Sequence, residues 1–142
     1  LDHPGLGNSY QTNKGTAIAL RYNDASCLEN MHAFLCFDIV RKHGCDILSG
    51  LDVGDKAAMR KNIIGCIINT DMTYHFNLKN DLNTCIASVL GGEGSGIGAY
   101  MSVEKDRDVL LKTLIHVADI SNPCKSWSLS KECVPSARAL YR

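Results

Sequence analysis

Apolar residues recur along this chain at helical rather than strand spacing. Leu28, Met31, Leu35 and Ile39 fall three or four residues apart, which collects them on one face of a helix. Ser26 and Glu29 ahead of that run spell a capping box, with Ser26 at the N-cap and Glu29 at N3. The helix runs to about His43, where Gly44 ends it. Ile63, Ile64, Ile67 and Ile68 form a second stripe. Their β-branching suits a strand, but the spacing and the Ala57–Lys61 lead-in favour a helix, for which Asp52 is a fair N-cap. A third helix is predicted over Leu78–Leu90, with Leu82, Ile86, Val89 and Leu90 inward. The last runs from about Val103 to Ile120.

Between these runs the polar punctuation is clear. Leu1 to Gln11 reads as loop, because Pro4, Gly5, Gly7, Asn8 and Ser9 break any period. Asn13 caps a short helix that Asn23-Asp24 ends, Asp46–Gly54 is a connector, and Asn69–Asn77 contains a break. Gly91 to Gly98 is a flexible loop. It follows a helical pattern and no Lys-Ser/Thr pair closes it, so it is not a phosphate cradle. The fold class is therefore all-α, a multi-helix bundle of five or six helices.

Composition narrows the functions. The chain has 142 residues, 45% of them hydrophobic, enough for one ordinary domain with a core. Lysine plus arginine and aspartate plus glutamate stand at 15 each, so no electrostatic footprint for nucleic acid or an anionic membrane surface exists. Seven cysteines without a C-x-x-C pair argue against a zinc finger or a secreted disulfide framework. They point to reduced thiols and an intracellular, cytoplasmic protein. No apolar run reaches the roughly 20 residues that span a bilayer.

One residue stands out against the pattern. Asp119 ends the apolar run from Val109 to Ala118, and Ser121-Asn122-Pro123 then stops the helix. An acid on such a helix end either reaches water or is paired or bound to a metal.

The start of the chain adds a series of motifs. Leu1-Asp2-His3-Pro4-Gly5 precedes Asn8; Tyr22-Asn23-Asp24, Leu28-Glu29-Asn30, Thr70-Asp71-Met72 and Ala118-Asp119-Ile120-Ser121-Asn122-Pro123 follow. In this order and spacing the series resembles the catalytic domain of class I cyclic nucleotide phosphodiesterases. That family carries H-D-x-D-H-P-G-x-x-N, Y-N-D-x-S-x-L-E-N-x-H, T-D-M-x-x-H and A-D-x-S-N-P. The resemblance implies hydrolysis of the 3′ phosphoester of cAMP or cGMP in signal transduction by a two-metal site. It implies a zinc and a magnesium (or manganese) ion, which together acidify water and stabilise charge on phosphorus.

The resemblance assigns roles residue by residue. Asp119 would ligate zinc directly. His3, Glu29, Thr70 and Asp71 would act through the waters around magnesium. Met72 would line the nucleotide pocket, and Asn122 would face the purine, since an amide both donates and accepts. His32, His75 and His116 match family positions and read as structural, and His43 as surface. The family's two zinc-ligating histidines, its remaining zinc-ligating aspartate and the histidine that protonates the leaving oxygen belong to upstream motifs that the 142 residues do not contain. These residues alone are therefore expected to be inactive. Residues 1–132 match the central part of that domain. From Cys133 to Arg142 the sequence diverges, and Pro135 would break the helix the family continues with. A catalytically dead helical binding or regulatory module of the same fold is the alternative.

Overall fold

The computed structural model describes residues 3–91 and 104–131, with the backbone alone at 90 and 91. Most of the expected Gly91–Gly98 loop, the expected helix start at Val103 and the divergent tail after Glu132 lie outside the described residues. Six α-helices carry the described residues, with no strand among them: α1 Asn8–Lys14, α2 Ala17–Arg21, α3 Cys27–Val40, α4 Val53–Ile68, α5 His75–Gly91 and α6 Glu104–Asp119. Two 3-10 turns, Met72–Tyr74 and Asn122–Cys124, and a helical stretch over 127–131 complete the described elements. The all-α reading holds.

The expected loop through Gln11 is helical from Asn8 onward. α1 lacks an apolar stripe and is anchored by one polar side chain instead. Gln11 is buried; its Nε2 donates to the Leu6 carbonyl at 3.2 Å and its Oε1 accepts from the Thr16 hydroxyl at 2.8 Å. Asn13 sits inside α1 and caps nothing. Thr16 caps α2, its Oγ1 accepting from the Ala19 amide at 3.3 Å.

The capping box at α3 is also overturned. Ser26 takes a left-handed conformation (φ 41°) after Asn23 (φ 53°) and Asp24 (φ 61°), and its side chain caps nothing. The cap comes from Asn8, whose Oδ1 accepts from the Leu28 amide at 3.0 Å. Glu29 is thereby released from helix capping. α3 ends at Val40, short of His43, and buries Cys27, Leu28, Ala33 and Phe37. Ile39, at the end of the expected stripe, stays exposed.

Asp52 caps α4 as expected, accepting from the Asp55 amide at 2.8 Å. The isoleucine stripe of α4 is half-buried. Arg60 places its guanidinium 4.1 Å from the centre of the Phe37 ring, which ties α4 to α3. Further along, Gly65 leaves room for Lys112: a Cβ there would stand 3.1 Å from the lysine Cε.

α5 starts at His75, three residues before the sequence pattern suggests. Leu78, Leu82 and Cys85 pack on Val109 of α6 and form the core between these two helices. Ile86, expected inward, is one step off that stripe and is 45% exposed. α3 packs on α2 and α4, α4 on α6, and α5 on α6. The outer side of α6 shows Leu114 and Val117 to solvent, and Trp127 is exposed just beyond it. Among the described residues six cysteines are free thiols, and no helix is long and apolar enough to cross a membrane.

Candidate active site

Where the start of α1 meets the start of α3, the amide of Asn8 faces two acids. Its oxygen is committed to the Leu28 amide, so its nitrogen must point the other way. That nitrogen donates to Glu29 Oε2 at 2.8 Å and to Asp71 Oδ2 at 3.4 Å. Glu29 is carried by the first turn of α3 and Asp71 by the corner after α4. Asp71 is buried, and its other oxygen accepts from the Thr73 amide at 2.9 Å, which caps the 3-10 turn. Burial, and to a lesser degree the charge of Asp71, push the Glu29 carboxyl above its ordinary pKa of 4.5, while the Asn8 hydrogen bond opposes them. Two carboxylates share one amide donor, a poor arrangement unless a cation joins them.

These residues wall a cleft of about 690 Å³, lined among others by His3, Asn8, Glu29, Thr70, Asp71 and Met72. His3 Nδ1 accepts from the Gly5 amide at 2.9 Å, which leaves Nε2 to carry the proton of the neutral ring. Burial and the neighbouring His32, whose ring centre is 5.4 Å away, hold the His3 pKa below 6.5; Glu29 and Asp119 oppose them. Thr70 donates its hydroxyl to the Ile67 carbonyl at 2.7 Å, leaving its oxygen free to accept. Met72 is half-exposed at the cleft wall rather than packed in the core.

Two expected site residues stand apart. Asp119 is the exposed last residue of α6 and does not line the cleft, although its charge is felt by the His3 ring. A carboxylate there faces the negative end of a helix dipole, a placement that an adjacent cation would relieve. Asn122 lies in the second 3-10 turn. Its amide nitrogen donates to the Ser130 carbonyl at 3.3 Å and to the Ser130 hydroxyl at 3.4 Å. Its Oδ1 is buried with no partner among the described residues. The structure thus gathers His3, Glu29, Thr70, Asp71 and Met72, sets Asp119 within electrostatic reach, and leaves Asn122 outside the cleft. Asn8 is the contributor that residue-by-residue reading misses. Its appearance in the N-terminal motif is a signal, but its partners lie 20 to 63 residues away.

The donor set is hard oxygen beside a neutral imidazole, which suits a hydrated magnesium or manganese ion. Among the described residues no three histidine, cysteine or acidic side chains converge to hold a metal directly. A larger cleft of about 960 Å³ between α4 and α6 carries charges of both signs, with Lys61 pairing Glu104 at 3.7 Å. Its acids Asp55, Glu104 and Asp108 stand beside Lys61, Lys105 and Arg107.

Among the described residues, fold and cleft together define an all-helical unit with a two-carboxylate pocket at a helix junction. Residues 1–137 match the sequence profile of the 3′5′-cyclic nucleotide phosphodiesterase family. The chain belongs to that family. It is 37% identical over 134 residues to the 3′,5′-cyclic-AMP phosphodiesterase isoform F of Drosophila melanogaster, covering 94% of this chain and 20% of that one. It is 34% identical over 133 residues to 3′,5′-cyclic-AMP phosphodiesterase 4C of Rattus norvegicus, covering 93% and 24%. Among solved structures, the phosphodiesterase domain of the RhoPDE fusion protein from the choanoflagellate Salpingoeca rosetta superposes with a TM-score of 0.77 at 38% identity, covering 92% of this chain and 39% of that one. The chain thus spans a quarter or less of these two curated relatives.

Proposed function

We propose that the protein carrying this chain hydrolyses a 3′,5′-cyclic nucleotide to the 5′-monophosphate in intracellular signalling. The observation that supports this reading most is the convergence of Glu29 and Asp71 on the single amide of Asn8, in a cleft also walled by His3, Thr70 and Met72. In this reading these acids and the threonine oxygen would orient waters around a magnesium or manganese ion, and Asp119 would hold a zinc ion together with histidines and an aspartate of the family's upstream motifs. Such ions would supply acidified water and offset charge on phosphorus. The chain's own residues orient hydration water, offset positive charge and hold His3 neutral beside it. The water oxygen adds to phosphorus, the bond to the 3′ oxygen breaks, and the proton given up by the water ends on that 3′ oxygen as a hydroxyl. Met72 forms part of the nucleotide wall. The unpaired Oδ1 of Asn122 is an acceptor for an amino group on the purine edge, which a turn of the 122–130 segment would present. Residues 1–132 would be the central part of the catalytic domain and 133–142 a divergent tail, into which the family match still extends as far as residue 137.

The test compares the full-length natural protein with these 142 residues, measuring bound zinc and the hydrolysis of cAMP and cGMP. cAMP comes first, because both curated relatives are named for it. The expected result is turnover by the full-length protein and none by the 142 residues. A full-length protein that binds metal yet hydrolyses neither nucleotide would overturn the reading in favour of a helical binding module.

A further inference from the structure

A chain of two imidazoles lies behind the cleft. His116, on the last turn of α6, is 3% exposed. Its Nδ1 lies 3.0 Å from the Asn69 carbonyl, at the end of α4, and its Nε2 lies 2.9 Å from Nδ1 of His75, the first residue of α5. A carbonyl only accepts, so His116 Nδ1 must carry the proton. With both rings neutral, His116 Nε2 is bare and accepts from His75 Nδ1, so one carbonyl sets both rings as Nδ1–H tautomers.

The ends of this relay matter. Asn69 immediately precedes Thr70 and Asp71, and His75 closes the same corner after Met72. His116 stands three residues before Asp119. The relay is thus the hydrogen-bonded tie between the corner that supplies the cleft and the helix end that supplies the remaining carboxylate. We propose that His116 and His75 are positioning residues, which act through this directional relay to set the cation-binding groups of the corner relative to Asp119. The proposal rests on the cation-binding reading of the cleft given above. Groups bonded directly to a metal's ligands change its affinity by about 10–100-fold; these rings reach the corner only through the Asn69 backbone, so a change of a few-fold is expected.

The direction of the relay makes it testable by shape. An asparagine side chain can place an amide N–H where Nδ1 sits, and a glutamine reaches the Nε2 position instead. His75→Asn keeps the needed donor, and His75→Gln loses it. His116→Asn keeps the bond to Asn69, and His116→Gln strands that carbonyl. The probe is Mn2+ alone, its binding to the full-length natural protein followed by loss of the free-ion electron paramagnetic resonance signal. The expected order is His75→Asn indistinguishable from wild type, His75→Gln and His116→Asn weaker, and His116→Gln weakest, by about threefold or more, below the range for direct partners of metal ligands. Thermal unfolding of each variant and 15N spectra of the wild-type histidines accompany it, the latter expected to show protonated Nδ1 on both rings. Equal Mn2+ affinity for the asparagine and glutamine variants, or protonated Nε2 on His116, overturns the relay. Because the readouts need no turnover, a protein that hydrolyses no cyclic nucleotide leaves this test intact, and only the functional reading then falls.

Discussion

Two polar clusters sit in this small helical bundle, and they are built on opposite terms. At the α6 corner, both ring nitrogens of His116 find partners at hydrogen-bonding distance, on a carbonyl and on a second ring. At the α1–α3 junction, Glu29 and Asp71 crowd one amide, and burial lifts the Glu29 carboxyl above its ordinary range. The buried ring of the first cluster is partnered on both sides. In the second, two carboxylates converge on one amide, which is the arrangement the cation-binding proposal is argued from. Satisfaction of hydrogen bonds, not burial alone, separates framework from candidate chemistry here.

Breaking the satisfied cluster has the largest effect on stability. His116→Leu leaves a part-buried carbonyl and a ring N–H without their partner and costs about 2 kcal/mol, measured by urea unfolding of the full-length protein. Asn8→Asp sharpens the contrast. It keeps an acceptor for the Leu28 amide but sets a third carboxylate against Glu29 and Asp71. In metal-free buffer it should destabilise by on the order of 2 kcal/mol at neutral pH, shrinking as acid neutralises the group; an effect independent of pH would count against charge crowding. Glu29→Gln should be the smallest change and opposite in sign. A carboxyl whose folded pKa is raised binds more protons folded than unfolded, so stability falls as pH rises from 4.5 through the raised value. Removing the charge stabilises the metal-free protein at neutral pH, and the gain vanishes below 4.5. Paired melts at the two ends of that window, with a chelator present, measure it.

The longer helices were legible because apolar spacing alone specifies them, and the Asp52 cap because its partner is three residues away. The cleft was legible through motif order: five of the expected side chains, from His3 to Met72, share one wall. What escaped the sequence depends on contacts across the fold. α1 has no apolar stripe to announce it, since the buried Gln11 holds it through Leu6 and Thr16. Ser26 fits a capping box by spacing, but the left-handed turn before α3 turns its side chain away, and a residue from α1 replaces it. Asn122 matches its motif, while its amide is engaged with Ser130, a local partner that motif spacing does not reveal.

That borrowed cap also links two distant parts of the chain. α3 closes its first turn on an amide from 20 residues upstream, so completing the helix requires closing the loop between Asn8 and Leu28. The same amide faces Glu29 and Asp71, so one side chain secures both the start of α3 and the acidic wall of the cleft, and the two share a single point of failure.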